Sequence, residues 1–395
     1  WDLAGQLIDR FTSTPFDLAT DPLVRAHVVR LGDDAWVVLV VFHHIIMDGQ
    51  SYPIFNQELR RCYDARLQGS EADLPQLPAQ YQDFAAHQRD LATSGAFEES
   101  LAYWEETLTG GDMLVSLSGT DTGGDPNEVV ETSIELDGAL RERWDEVAQD
   151  LKATRYMVGL AVFAATMLEY EGSDHEDLVA SLVSSDRSWS SARKLIGYFV
   201  NTLPLRIGIP PRATLATAVT SVREAMLGAL QYGDVPLDLI LDRLRSAGTT
   251  DQVIGGLDFD VSEGAIGFLD FGEDVSVSSF PQERSTAKFD LSMVVKLGAA
   301  VPAVYVKGRA SHYTQEMVDA VAELFVDALN RGFAGPDEAI LRRGSRTPTR
   351  GIAGPVDRAP VEVTQPSAPT DTVLSRIAGW VELDPDAPAI VDEAA

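Results

Sequence analysis

The stretch Phe42-His43-His44-Ile45-Ile46-Met47-Asp48-Gly49-Gln50-Ser51 concentrates residue types that move protons near neutral pH. Two histidines close an apolar run, Trp36-Val37-Val38-Leu39-Val40-Val41-Phe42, and Asp48-Gly49 follows three residues later. A buried strand that ends in His-His and then turns sharply carries one imidazole to a reaction centre, while the carboxylate braces the turn. Successive strand residues point to opposite faces, so one histidine faces the chemistry and the other packs behind it. That alternation also argues against a shared metal ion. The single cysteine, Cys62, lies on an expected helix, so no thiolate cluster is available and no metal is expected. The remaining histidines, His27, His87, His175 and His312, stand alone and read as packing residues.

The elements around this stretch follow from pattern. His27–Leu31 and Trp36–Phe42 flank Gly32-Asp33-Asp34 and predict a hairpin. Ser51 is placed to cap a helix over Tyr52–Leu67, in which Ile54, Phe55, Leu59, Cys62 and Tyr63 recur at helical spacing. Further helices are expected over Phe97–Leu108, Leu140–Asp150, Tyr156–Tyr170, Ala213–Gln231, Leu237–Ser246 and Gln315–Asn330. Tyr156–Tyr170 is apolar nearly all round and therefore buried. Strands are expected over Leu178–Val183, Leu291–Leu297 and Ala303–Lys307, and Gly119–Pro126 reads as a loop. Helices and strands mix without a steady βαβ period, which predicts an α+β fold rather than a doubly wound sheet. Five prolines among Ser, Thr and Gly mark residues 344–371 as a linker.

Composition bounds the rest. The 395 residues suffice for two cores, and 45% apolar content argues against disorder throughout. One cysteine argues against a disulfide-built protein. The longest apolar run is far short of the roughly 20 residues of a membrane helix, so no membrane partner is expected and the setting reads as cytoplasmic. A formal net charge of −30 repels nucleic acid. An acidic partner would need basic islands, for which Arg60-Arg61 with Arg66, and Arg187 with Arg193-Lys194, are candidates.

His43–Ser51 resembles the HHxxxDG signature of nonribosomal peptide synthetase condensation domains, members of the chloramphenicol-acetyltransferase-like superfamily. Pro15-Phe16-Asp17-Leu18 with Pro22-Leu23-Val24-Arg25 is similar to that family's lead-in, and Tyr81–Gln88 with Tyr103-Trp104 to its next characteristic stretch. Ile196–Arg206 and Asp234-Val235-Pro236-Leu237-Asp238 resemble two more, in the family's order. Gln50 and His87 depart from it, standing where aromatic residues are usual. The family also carries a longer segment ahead of its His pair than the 42 residues here, and the chain opens on Trp1. The first lobe, residues 1–110, is therefore expected to be incomplete. Residues 111–343 would form the second lobe. Residues 372–395, with Pro385-Asp386-Ala387-Pro388-Ala389-Ile390-Val391, resemble the start of an adenylation domain.

The resemblance implies two lobes in a V, with a central tunnel into which donor and acceptor carrier proteins deliver phosphopantetheine thioesters. The acceptor amine would attack the donor thioester to form an amide. No cofactor is expected on the domain itself. His44 is the expected reaction-centre residue, as general base or as positioner of the amine, and His43 is expected to hold the loop. Gly49 would permit the turn and offer its N–H to a developing oxyanion. Ser51 and Asn201 are carried over as tunnel residues. Asp48 is expected to be structural, paired with Arg187 by the family's pattern, with Arg206 the second choice. The resemblance leaves three alternatives: an epimerisation domain, an ester-forming acyltransferase, and a recruitment module, a class that loses the second histidine present here.

Overall fold

Two blocks of alternating sequence build two sheets of different size. The computed structural model describes residues 2–342, apart from 111–112, 118–121, 126–127, 173, 186, 249–255, 263–270, 272–274, 279–287, 299–300 and 336. The linker and the adenylation-like stretch lie outside the described residues, as does half of the expected loop Gly119–Pro126.

After helix α1 (Asp2–Ser13), strands β1 (Val24–Arg30) and β2 (Trp36–Phe42) pair antiparallel from Val24↔Phe42 to Arg30↔Trp36. The hairpin turns where Gly32-Asp33-Asp34 predicted, but β1 starts earlier than His27. Val37 meets Ile8 of α1 on the buried side, and the apolar period thus places one strand face against a helix. Helices α2 (Ser51–Leu67), α3 (Tyr81–Ser94) and α4 (Glu98–Leu108) follow. The capping box Gln80/Asp83 opens α3, and Gly95, in the left-handed region at φ 78°, closes it.

The larger, seven-stranded sheet contains β3 (Met113–Leu114), β4 (Val129–Glu135), β5 (Asp177–Ser185), β6 (Val200–Gly208), β7 (Leu257–Ser262), β8 (Leu291–Lys296) and β9 (Ala303–Arg309). β6 runs antiparallel along the whole of β5. The opposite edge of β5 is shared. β3 pairs parallel at Asp177 and Leu178, and β7 pairs parallel at Ser181. β8, β9 and β4 complete the sheet. Helices α5 (Gly138–Asp150), α6 (Arg155–Glu171), α7 (Leu215–Gln231), α8 (Leu237–Ser246) and α9 (Gln315–Ala334) accompany it.

One sheet face is apolar in strict alternation. Leu178, Ala180 and Leu182 of β5, Leu203 and Leu205 of β6, and Met293 and Val295 of β8 are buried there. α6, α7 and α9 cover that face. α6 is buried from Val158 to Leu168, as its apolar circumference predicted. Thr154 caps its first turn by accepting the Met157 N–H. Phe259 of β7 sits between Phe163 of α6 and Phe325 of α9, with ring centroids 5.3 Å and 6.1 Å away. No single helix among the described residues is long and apolar enough to cross a membrane.

The expected lobe boundary at residue 110 does not follow the packing. Phe97, Trp104 and Leu108 belong to the core of the large sheet, so α4 goes with the second layer. Trp104 donates from Nε1 to the Tyr232 carbonyl at 2.8 Å, Ser100 donates to Asp234 at 2.9 Å, and Arg243 of α8 binds Glu105 at 2.6 Å. Sequence punctuation at Gly110-Gly111 marks the end of a helix, not the end of a packing unit.

Gly159 marks the tightest approach of α6 to the sheet. A Cβ there would stand 2.6 Å from Phe259 Cζ and 3.0 Å from Trp144 Cζ2. Alanine gains up to about 1 kcal/mol of helix propensity, whereas overpacking costs about 1–3 kcal/mol. Gly159→Ala is expected to lower the melting temperature, and Phe259→Leu in the same chain to recover part of the loss. A melting temperature raised by Gly159→Ala alone would contradict this packing.

Candidate active site

The loop after β2 is built by local hydrogen bonds. β2 ends at Phe42, so the His pair lies in the turn rather than on the strand. His43 N donates to the Leu23 carbonyl at 2.9 Å, and His44–Ile46 form one turn of 3₁₀ helix. His43 Nδ1 accepts the Ile45 N–H at 3.1 Å, and its ring meets Phe16 edge-on at 5.8 Å. Arg25 lies 3.9 Å over the Phe16 ring and ties itself to the Thr14 and Pro15 carbonyls and to Asp21. Phe16 and Arg25 thus buttress His43, a task that their sequence positions alone did not disclose.

His44 is held differently. Its Nδ1 lies 2.6 Å from the Met47 carbonyl oxygen. A carbonyl only accepts, so Nδ1 carries the proton and the neutral ring keeps Nε2 as a free lone pair. The Tyr198 ring packs edge-on at 5.2 Å. Tyr198 comes from the Ile196–Arg206 stretch, which marked it by resemblance without giving it a role.

Asp48 is 1% exposed and uses both oxygens. Oδ1 accepts the Ser51 N–H at 2.8 Å, the Ser51 hydroxyl at 2.7 Å and Arg187 Nη2 at 3.0 Å, while Oδ2 accepts the Phe199 N–H at 3.0 Å. Burial alone would raise the carboxyl. The Ser51 hydrogen bond, the Phe199 N–H and the Arg187 charge outweigh it and hold the group below its ordinary 3.8. Arg187 also donates from Nη1 to the Ala192 and Leu195 carbonyls, both at 2.8 Å, and lies 4.3 Å over the Phe199 ring. Its side chain is 8% exposed, so it is an internal fastener and not part of a basic docking island. Arg60 likewise pairs with Asp64 on its own helix.

Four other expected site residues are held as follows. Ser51 is completely buried. Its proton goes to Asp48, and its oxygen accepts Gly197 N–H at 3.1 Å and Arg187 Nη2 at 2.9 Å. It is therefore a fastener rather than a tunnel wall, and Asp48, not Ser51, takes the N–H at the start of α2. Asn201 donates to the Gly233 and Val235 carbonyls at 3.1 Å and 2.7 Å and accepts Leu237 N–H at 3.2 Å. It is a strut under the Asp234–Asp238 stretch. Arg206 binds Asp177 at 2.7 Å and the Thr107 carbonyl at 3.0 Å, far along β6 from the loop. Gly49 is exposed, lies outside the left-handed region, and has no atom within 4 Å of where a Cβ would stand. The turn does not require glycine, and no described residue accepts the Gly49 N–H.

α3 supports the far side of the loop. Tyr81 donates to the Tyr198 carbonyl at 2.7 Å, and a Cβ on Gly197 would lie 2.4 Å from the Tyr81 ring. Phe84 packs with Phe199 and Leu195, and His87 stacks on Trp189 at 6.0 Å.

Comparison with known proteins agrees with this architecture. Residues 2–343 match the family model of the condensation domain. The chain is 29% identical over 353 residues to a linear gramicidin synthase of Brevibacillus parabrevis, covering 86% of this chain and 7% of that protein. It is 31% identical over 300 residues to phosphinothricin tripeptide synthetase PhsC of Streptomyces viridochromogenes, covering 71% of this chain and 26% of that one. Among solved structures, the first condensation domain of the calcium-dependent antibiotic synthetase superposes with a TM-score of 0.68 at 25% identity, covering 86% of this chain and 74% of that one. The X-domain from teicoplanin biosynthesis gives 0.74 at 22%, covering 86% and 78%. The chain belongs to the condensation domain family, whose fold it shares and whose members catalyse peptide-bond formation, an acyl transfer.

Removing either partner of the Asp48–Arg187 pair strands a buried charge, at about 3–5 kcal/mol. Asp48→Ala and Arg187→Ala are each expected to cost that much in thermal or denaturant melts, and the double variant less than their sum. Because the folded-state value of Asp48 lies below the unfolded one, its stabilisation is complete well above pH 3.8 and drains away as pH falls through the folded value. Asp48→Asn should flatten that acid limb. Strict additivity, or an unchanged acid limb, would remove the pair from this role.

Proposed function

We propose that this chain joins a donor acyl or peptidyl thioester to the amine of an acceptor aminoacyl thioester, with both substrates held on the phosphopantetheine arms of carrier proteins. The observation that carries the reading is the 2.6 Å contact of His44 Nδ1 with the Met47 carbonyl oxygen, which sets the ring's tautomer. With Nδ1–H engaged by Met47, Nε2 is the ring's free acceptor beside Tyr198. There it accepts an N–H of the attacking amine, either taking the proton as general base or orienting the lone pair. The amine nitrogen bonds to the thioester carbonyl carbon, the C–S bond breaks, and the pantetheine thiolate leaves with the proton. The unbonded Gly49 N–H suits the oxygen that gains charge between those events. A thioester is already activated, so orientation supplies much of the rate.

The setting that this reading implies is a cytoplasmic synthetase in which an adenylation domain follows, as the resemblance of residues 372–395 suggests. The chain spans only a small part of the curated relatives it matches, so substrates, carriers and neighbouring domains belong to the proposal. A second reading, docking without chemistry, has in its favour the likeness to the X-domain, which is also solved in complex with OxyB. The presence and tautomer of His44 favour chemistry.

His44→Ala is expected to lower amide formation between loaded carriers by tenfold to a hundredfold, roughly 1.4 to 3 kcal/mol of transition-state stabilisation. His43→Ala should instead lower thermal stability first, because His43 holds the loop against Phe16. Product mass on the acceptor carrier reads the outcome. Equal rates for His44→Ala and wild type would remove the catalytic assignment, and no product from wild type with any carrier pair would favour docking.

A further inference from the structure

The face of the large sheet turned away from α6, α7 and α9 carries polar groups in register. Ser181 of β5 lies opposite Asp258 of β7, and Asp258 opposite Ser292 of β8. Strand alternation points all three away from Phe259, which is in the apolar core. Most charges on this face are answered. Arg206 binds Asp177, Lys307 binds Glu131 at 2.7 Å, and Lys296 lies 4.1 Å over the Tyr305 ring. Asp260 accepts the Val261 N–H at 2.8 Å. Asp258 has no hydrogen-bond or ion-pair partner among the described residues.

The neighbouring hydroxyl is also unanswered. Ser181 is 2% exposed, and its Oγ has no hydrogen-bond partner among the described residues. Asp258 is half-buried and within reach of water, but the Ser181 hydroxyl beside it is buried, and buried polar groups are nearly always paired, so the two together point to a ligand group. Burial, with the charge of Asp260 added and that of Lys288 opposing, pushes the Asp258 carboxyl up to about 7. β5 and β7 pair only at Ser181, and beyond it Val183 is 51% exposed. β5 ends at Ser185, and the chain from Ser181 to Arg187, the anchor of the His44 loop, spans at most roughly 20 Å.

We propose that Asp258, with Ser181 beside it, is a specificity-determining site for an ammonium or guanidinium group on the side chain of one aminoacyl substrate. The proposal rests on the reading of this domain as one that condenses two aminoacyl thioesters. A cation draws the proton off Asp258 and forms a charge-assisted hydrogen bond, while Ser181 accepts a second N–H. An apolar side chain of the same length leaves both groups unpaired, and discrimination by unpaired polar groups is strong.

The test uses amide-linked pantetheine probes bearing ornithine, its near-isostere norleucine, or glutamate, titrated calorimetrically into the full chain. One set has a free α-amine, as an acceptor has, and the other an acetylated α-amine, as a donor has. In one set, ornithine is expected to bind at least tenfold more tightly than norleucine, with glutamate weakest, and that set identifies the substrate. Asp258→Asn should abolish the preference, with a cooperative melting transition reporting an intact fold. Ser181→Ala should narrow the preference. Equal binding of ornithine and norleucine in both sets, a preference that survives Asp258→Asn, or no binding of either ornithine probe overturns the proposal. Condensation between loaded carriers is measured separately. Amide formation without charge preference removes this site alone, whereas charge-selective binding without amide formation retains the site and removes the functional reading beneath it.

Discussion

The Asp48–Arg187 pair joins segments 139 residues apart, and the geometry of the candidate site depends on it. A buried ion pair is a poor source of net stability, since desolvation offsets much of the attraction. Its effect here is positional. Asp48 holds α2 through Ser51 and the far loop through Phe199 and Arg187. Arg187 in turn holds the 3₁₀ turn Ser190–Lys194 through Ala192 and Leu195. A hydrophobic replacement of similar volume would preserve packing but release these backbone contacts, so the loop carrying His44 and the loop carrying Tyr198 would lose their common register.

Asp48 does not serve His44 as the carboxylate of a catalytic triad serves its histidine. The partner of His44 Nδ1 is a neutral backbone carbonyl, which sets the tautomer without stabilising an imidazolium as an ionised carboxylate does. That arrangement gives the free ring nitrogen a well-defined direction. It matches a reaction whose electrophile is already activated and whose chief requirement is the placement of an amine. The division of labour is spatial as well, since Asp48 is sealed at 1% exposure while His44 is exposed.

The sequence made most helices legible because their signals are local. Leu237–Ser246 has the bounds that its apolar spacing predicted, and the other expected helices differ by a few residues at their ends. β6 and β7 were not legible. Pro204 sits inside β6, and Asp258 and Asp260 interrupt β7, yet pairing along β5 and β8 overrides those local preferences. The reach from Asp48 to Arg187 came through motif resemblance, because no local rule connects a turn to an arginine so distant. The burial of Ser51 and the strut contacts of Asn201 were not legible for a related reason. Both are polar residues near the site, and whether such a side chain faces a substrate or closes a backbone gap is decided by tertiary neighbours such as Gly197 and Val235. Gly49 shows the converse, since the residue that suggests a strained turn lies in one that is unstrained.

The large sheet links the two polar regions through a single register. β5 and β6 end at Ser185 and begin at Val200, and the segment between them carries Arg187, Tyr198 and Phe199 to the His44 loop. The same two strands place Leu182 and Leu203 opposite each other in the core, and Ser181 and Pro204 opposite each other on the polar face. A one-residue slip in either strand would exchange core and polar face along its whole length, and would also shift the start of the loop that meets Asp48. The apolar burial against α6, α7 and α9 opposes that slip. The position of the His44 loop and the placement of Asp258 and Ser181 on the polar face are therefore set by the same packing.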